Sequence, residues 1–537
     1  MTSRTRASII SVGALLLSTT VAAQSGPAIQ LSVDDAVQRA IDRNPDLAIV
    51  RLDTDVEAAR LGEARGAYAP VFSTSFGRSR NVTPPTNYLL GAAGVDEKDW
   101  FSSTGVRQRV PWGAGTWSIS WDAARTTTNS PISSADPTLL SGIELAFSQP
   151  LLRDRKIDAS RQQYIVAKRN HENSELRLRE SAVQTVASVK RAYWALKASL
   201  ANVGVQQRSL ELAQELARQN KIRVGAGQIP PLDLVQAEVE VAQRRENLIQ
   251  ARTQAEDAED HLRRLIMDPE DTAFWSVRLD PTDEPPEPEL SPNADAAVAK
   301  ALDGRFDLAR ASHDLENAKS TVDFLGNQRL PDVRLEASYR GSGLGGTEFQ
   351  RTGAFPGIVT GTLNRGFGDA LGQTFTPDYP TWSVGVTVNY ALGHSYEDAS
   401  HARAQVERRQ AAQRIASLRL EAAQSVRQAA RQVRSSAERV EAARAGASLA
   451  EQRHADERRR YEVGLSTTFL VTQAQRDLLQ AQVNLLQAAL DHQSAVVNFE
   501  AVQQAPPSNT ANGGGRSEVE LLPTPSPHGI FRAGSAQ

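Results

Sequence analysis

Cysteine is absent from the 537 residues, and with it any disulfide framework or lipid-modified N-terminal cysteine. Long apolar runs are absent too: no stretch reaches the roughly 18 consecutive apolar residues of a membrane-spanning helix. Neither sign of charge dominates, with 60 Lys and Arg against 63 Asp and Glu. The chain therefore carries no global signature of nucleic-acid binding. It contains no HExxH, no P-loop and no nucleophile elbow, and its eight histidines are scattered. The expectation is a non-enzyme with no metal and no cofactor. His171 and His454 stand alone on charged helical stretches and read as solvated surface residues.

What is present begins with an export signal. Arg4 and Arg6 precede a short apolar run from Ile9 to Leu17, and Val21-Ala22-Ala23 forms a small-residue cleavage site. Residues 1–23 are thus expected to be removed, leaving a mature chain from Gln24. An exported chain without a membrane-spanning helix is periplasmic, secreted, or built into the membrane as a closed β-barrel, because only helices and closed barrels satisfy their backbone in lipid.

The rest is a tandem duplication. AVQRAIDRNPDLA at Ala36 to Ala48 aligns with AVAKALDGRFDLA at Ala297 to Ala309, with seven of thirteen positions identical. About one identity is expected by chance. The same offset places Pro70 on Pro331. A second match pairs GQIPPLDLVQA from Gly227 with GLSTTFLVTQA from Gly464. The first copy covers residues 24–267, a Pro- and acid-rich, irregular connector 268–293, the second copy 294–504, and an aperiodic tail 505–537, expected to be disordered.

Each copy has the same order of elements. Helical spacing from Val33 to Ala67 stops before Pro70. Alternating pieces follow at Val71 to Phe76, Trp117 to Trp121 and Ile143 to Phe147, with Pro111 to Gly115 as a candidate hairpin turn. The second copy has Val333 to Tyr339 and Trp382 to Tyr390. Long helical tracts come next. Leu151 to Val224 lacks proline and predicts a rod of about 105 Å at about 1.5 Å per residue. Leu196, Leu200, Val203, Leu210 and Ala217 form a coiled-coil seam. Past the Gly/Pro turn the seam continues in Leu232, Val235, Val239, Ala242 and Ile249, and in the second copy in Leu479, Val483, Leu486, Leu490 and Val497.

The ordered set LSVDDAVQRAIDRNPDLA, AYAPVFSTSFG, FSQPLLRD, VGAGQIPPLDLVQAE and YEVGLSTTFLVTQAQ resembles the TolC-type outer-membrane efflux protein family from about Leu31 to Glu500. The resemblance implies an α+β membrane protein: a homotrimer with one shared outer-membrane β-barrel continued by a long periplasmic α-helical barrel. It implies a passive duct that serves a tripartite efflux pump or type I secretion system, with a periplasmic adaptor, an inner-membrane transporter and outer-membrane lipid as partners. The family norm is four strands per protomer. The first copy alone holds four strand segments, so either the protomer supplies six or two belong to a loop excursion.

The resemblance also places the gate and adaptor contact at the two tip turns. There Gly227 and Gly464 allow the reversal, and Leu465 and Ser466 stand in the second turn. Asp233 and Tyr461 match positions that tie neighbouring tip helices by hydrogen bonds in the family's closed state. Asp233 as a first-turn acid and Tyr461 as packing is the plainer alternative. Leu470 and Gln473 stand where well-studied members carry an acidic pair, which replaces a cation-selecting ring with apolar closure at Leu470. Trp100, Trp112, Trp117 and Trp121 read as an interfacial girdle or as packing in a β-domain. A periplasmic adaptor is the rival reading, but it calls for one hairpin between lipoyl-like half-motifs. An enzyme with helical insertions has no motif in its favour.

Overall fold

The computed structural model describes residues 28–84, 94–268, 270, 276–286, 292–354, 357–393 and 395–507. The export signal and most of the tail lie outside these residues. The start of the tail is ordered: Ala505 is buried, and its amide donates to Ala501.

A short strand β1 (Ala28–Leu31) leads into α1 (Val33–Arg43) and α2 (Pro45–Gly66). One helix is expected here, but it breaks at Asn44. Pro45 has no N–H to continue the ladder, and the Asn44 side chain caps the second helix at the Leu47 amide, 3.0 Å away. Strands β2 (Val71–Thr83), β3 (Val95–Arg109), β4 (Thr116–Thr128) and β5 (Ala135–Pro150) follow, then α3 (Ala159–Gly225) and α4 (Pro231–Ile266). The connector expected to be irregular carries a strand, β6 (Arg278–Pro281), paired in parallel with β1.

The second copy repeats the plan with α5 (Ala294–Gly304), α6 (Phe306–Gln328), β7 (Asp332–Thr352), β8 (Ile358–Arg365), α7 (Phe367–Thr374), β9 (Pro380–Asn389), α8 (Tyr396–Glu462) and α9 (Thr468–Val502). Both long helices have 67 residues, a length of about 100 Å. The tract expected from Leu151 starts its helix only at Ala159, where Asp158 supplies the cap by accepting from the Arg161 amide.

The rods meet in a waist where α1, α3, α4 and the β1/β6 pair bury Leu31, Ala36, Ala40, Tyr193, Leu196, Leu262 and Ile266. Tyr193 is fully buried, and its hydroxyl donates to the Leu31 carbonyl at 3.0 Å. The waist lies midway along the rods; the sheet stands at the end where α3 and α8 begin, in the order β2-β3-β4-β5-β7-β8, with β9 on β7. Every neighbouring pair in it is antiparallel.

One part of the expected seam is displaced. Between the tip and the waist the residues of α4 buried within the chain are Ala237, Glu240, Arg244, Leu248, Ala251 and Ala255. Leu232, Val235, Val239, Ala242 and Ile249 lie on the exposed side. The in-chain partner α3 occupies the opposite face, so the apolar stripe of α4 has no cover among the described residues.

Candidate functional site

The two tips share one construction. Gly227 at φ +72° and Gly464 at φ +80° take the left-handed conformation that glycine adopts without a Cβ penalty. Around them the Gly227 amide donates to Val224 and Gln228 to Arg223, while Gly464 donates to Tyr461 and Leu465 to Arg460. Both sets are Schellman closures, which satisfy the last carbonyls of the long helix and turn the chain sharply.

Between the tips lies a buried polar cluster. Within the chain, Tyr461 does not bond to Asp233. Its hydroxyl donates to Asn220 Oδ1 at 2.5 Å and lies 3.3 Å from Thr468 Oγ1. Asn220 Nδ2 donates to the Asp233 backbone carbonyl at 3.1 Å, so Asp233 contributes its main chain and not its carboxylate. The Arg223 guanidinium stacks 4.4 Å over the Tyr461 ring. Leu216, Tyr461 and Val471 form the apolar surround. Sequence reasoning missed Asn220 and Thr468. The signal for Asn220 was its place in the buried stripe Gln206, Leu210, Ala213, Leu216, Asn220 on α3, where a polar group in a seam usually fixes register.

Leu465 and Leu470 are exposed, and Ser466 donates to Glu457. Gln473 is half-buried and donates to Asp477 at 2.8 Å, and Asp477 also pairs with Arg453 at 2.7 Å. Two turns above Leu470 there is thus a carboxylate, but it is already paired. Further up, Glu240, 4% exposed, is bound by Arg244 of its own helix and by Arg476 of α9 at 2.5 Å. Burial alone would raise the Glu240 carboxyl. The hydrogen bond from Arg476 and the charges of Arg244 and Arg476 outweigh burial and hold it below the ordinary glutamate range. His454 is buried, against the expectation of a solvated residue, and burial with the Arg458 charge lowers its pKa. His171 is half-buried, with Nε2 3.7 Å from Glu175.

The sheet has two unlike faces. Strand residues opposite one another share a face. Following the pairs, one face collects Phe72 and Phe76, Trp100 and Val106, Trp117, Ile119 and Trp121 on the first three strands. It continues through Ile143, Leu145 and Phe147 to Leu335, Tyr339, Trp382, Val384 and Val386. The other face collects Ser73, Ser75, Ser103, Asp122, Glu144, Ser338, Arg340, Ser383 and Thr387, and only at the end far from the helices does the pattern mix, with Phe101, Leu140 and Leu344 on this face and Arg78 and Arg125 on the apolar one. There Arg340 lies 3.3 Å from Glu144 and 3.6 Å from Asp122. Three of the four expected tryptophans stand on the apolar face. Trp112 lies instead in the β3–β4 turn at the end nearest the helices, and Trp382, expected only as the start of a strand, joins the aromatics of this face. Trp121 donates to Ser141 at 3.1 Å and meets the ring of Phe367 on α7 edge-on. Helix α7 lies across Gly341, Gly343 and Gly345, where a Cβ at Gly343 would fall 1.8 Å from the Ala370 carbonyl oxygen.

Among the described residues no group of His, Cys, Asp or Glu is arranged to hold a metal, and no helix is long and apolar enough to cross a membrane. Comparison with solved structures finds the same fold in a membrane protein of Pseudomonas aeruginosa, at 16% identity and TM-score 0.63, covering 90% of this chain and 92% of that one. The Campylobacter jejuni CmeC outer membrane channel matches at 15% identity and TM-score 0.63, covering 88% and 85%. The open-state MtrE outer membrane channel of Neisseria gonorrhoeae matches at 16% identity and TM-score 0.58, covering 88% and 89%. A search of curated proteins finds no match. The family of outer membrane efflux proteins matches residues 118–266 and 297–502, about two thirds of the chain. The two-faced sheet, the paired rods and this match agree: the chain belongs to the outer membrane efflux protein family and is a non-enzymatic outer-membrane channel with a periplasmic helical extension.

Proposed function

We propose that three copies of this chain close their sheets into one outer-membrane barrel and their rods into one periplasmic tunnel. The assembly is the passive exit duct of a tripartite efflux pump or type I secretion system. One observation carries the reading: a sheet apolar on one face and polar on the other, whose outer strands β2 and β9 have no further partner among the described residues. Lipid does not tolerate an open strand edge, so the edges are completed by other copies. The polar face then lines the bore and the apolar face meets lipid, with Trp100, Trp117 and Trp382 along it, Trp121 against α7 on the same face, and Trp112 toward the periplasm.

The uncovered stripe Leu232, Val235, Val239 and Ile249 on α4 packs against a neighbouring protomer in the same assembly. The tips around Gly227, Leu465, Ser466 and Gly464 close the periplasmic end and meet a periplasmic adaptor, and an inner-membrane transporter supplies the energy. Leu470 narrows the bore by apolar contact, and Asp477, already paired, adds little cation preference. The adaptor alternative is not favoured, because the chain has two helical hairpins and a membrane-type sheet. The test is fractionation. A trimer that dissociates on heating is expected in the outer membrane, and a water-soluble monomer would refute the reading.

A further inference from the structure

We infer that the barrel has eighteen strands, not the twelve that four per protomer would give, and that each seam joins β2 of one copy to β9 of the next with Val71 opposite Asn389. This rests on the trimeric duct proposed above.

The strand count follows from the register. Strand β3 is paired along both edges, with Val71 to Thr83 on one side and Thr116 to Thr128 on the other. The β3–β4 hairpin is therefore part of the wall and not a loop excursion. Its turn is pinned at the helical end, where Gln108 donates to the Tyr68 carbonyl, Arg109 to Ser160, and Gln149 to the Gly113 carbonyl. Strands β8 and β9 occupy successive stretches of one edge of β7, Gly346 to Thr352 and Asp332 to Gly341, with α7 between them in sequence. They count as a single position. The protomer thus supplies β2, β3, β4, β5, β7 and β8/β9.

The stagger of the strands gives the closure. Opposite residues run from Val71 through Arg107, Ser118, Ala146 and Ser338 to Ser383. The helical end of β9 is Asn389, six residues beyond Ser383. Val71 follows α2 and Asn389 precedes α8, so both strand ends sit at the periplasmic rim. Levelling them sets the next copy's Val71 opposite Asn389. A shift of one residue per strand corresponds to a tilt of about 35°, within the range of closed barrels.

Strand β2 runs away from the helices and β9 toward them, so the seam is antiparallel like every other pair in the sheet. The faces also agree. Phe72 meets Val388, Thr74 meets Val386 and Phe76 meets Val384 on the apolar side, while Ser73 meets Thr387 on the polar side.

Six strands at this tilt span an arc of about 34 Å, close to the roughly 36 Å covered by four packed helices, α2, α3, α6 and α8, below them. Four strands would span only about 23 Å. The backbone diameter becomes about 33 Å against about 22 Å for twelve strands. The barrel then passes bulky cargo without selecting it, and the helical tip is the constriction.

The absence of cysteine makes the test clean. Chains carrying Ser73→Cys with Thr387→Cys, oxidised in outer membranes, are expected to give disulfide-linked dimers and trimers. Chains carrying Ser73→Cys with Ser383→Cys should stay monomeric on a non-reducing gel. Linkage only in that second pair overturns the seam. Electron cryomicroscopy of the unmodified trimer in lipid nanodiscs should count eighteen strands. A trimer with twelve overturns the inference and leaves the duct standing, while the absence of any trimer overturns both.

Discussion

Removing the Tyr461 hydroxyl is expected to loosen the tip through Asn220, not through Asp233. Asn220 has no exposed surface, and Tyr461 is only 3% exposed. Tyr461→Phe therefore leaves Asn220 Oδ1 without its 2.5 Å partner in a dry site. An orphaned buried acceptor of this kind costs about 1–3 kcal/mol. At about 2 kcal/mol, the equilibrium for separating the second hairpin from α3 shifts about 30-fold toward the open form, since about 1.4 kcal/mol is a factor of ten. Two measurements read this out. Amide exchange from Arg459 to Arg476 should quicken by about that factor, and single channels in planar bilayers should spend more time open. The control is Asp233→Asn. It keeps the backbone carbonyl that Asn220 uses and should leave both readouts near the unmodified protein. Asn220→Leu combined with Tyr461→Phe should cost less than the two single changes added together, because neither leaves the other's polar group stranded. Unchanged exchange and gating in Tyr461→Phe, or a larger effect from Asp233→Asn, would refute the reasoning.

Acid should release the tie between α4 and α9. Glu240 has a lowered folded pKa, so its contribution is present above the unfolded glutamate value and lost as pH falls through the folded one. Channel closure is expected to hold at pH 6 and weaken below about pH 4. Glu240→Gln should weaken it already at neutral pH, by up to the roughly 3–5 kcal/mol of breaking a buried pair, because Arg244 stays buried without its counter-charge while Arg476, half exposed, returns to water. A flat leak conductance across that range would count against the tie. Gly464→Ala meets no atom within 4 Å, so only its φ of +80° opposes it. The expected loss is about 1–2 kcal/mol in thermal unfolding of the helical region. Val386→Arg on the apolar face should cost about 2–4 kcal/mol of barrel stability in urea titrations with lipid present. Thr387→Arg, on the other face, should cost far less, and equal costs would reverse the assignment of bore and lipid.

Much of this molecule is written in periodicities. The alternation at Trp117 to Trp121 and the helical spacing after Leu151 yield strand and rod directly, because one face of each must leave water. The duplication was legible because both copies need the same buried alanine pair, strand entry and glycine turn. Other features were illegible for physical reasons. The break at Asn44 depends on one residue whose backbone amide closes the first helix and whose side chain starts the next. Helix α7 is short, and it depends on a glycine path in β7 that it covers only in three dimensions. The α4 stripe shows the general limit. Apolar spacing records that Leu232, Val235 and Val239 must be covered, but not by what. A residue facing α3 and a residue facing another copy leave the same trace in the pattern. Here the in-chain face of α4 is built instead from alanines and the Glu240 ion cluster, so the larger apolar groups face outward. The open strand edges of the sheet show the same division at the opposite end of the rods, and a neighbouring protomer answers both needs at once.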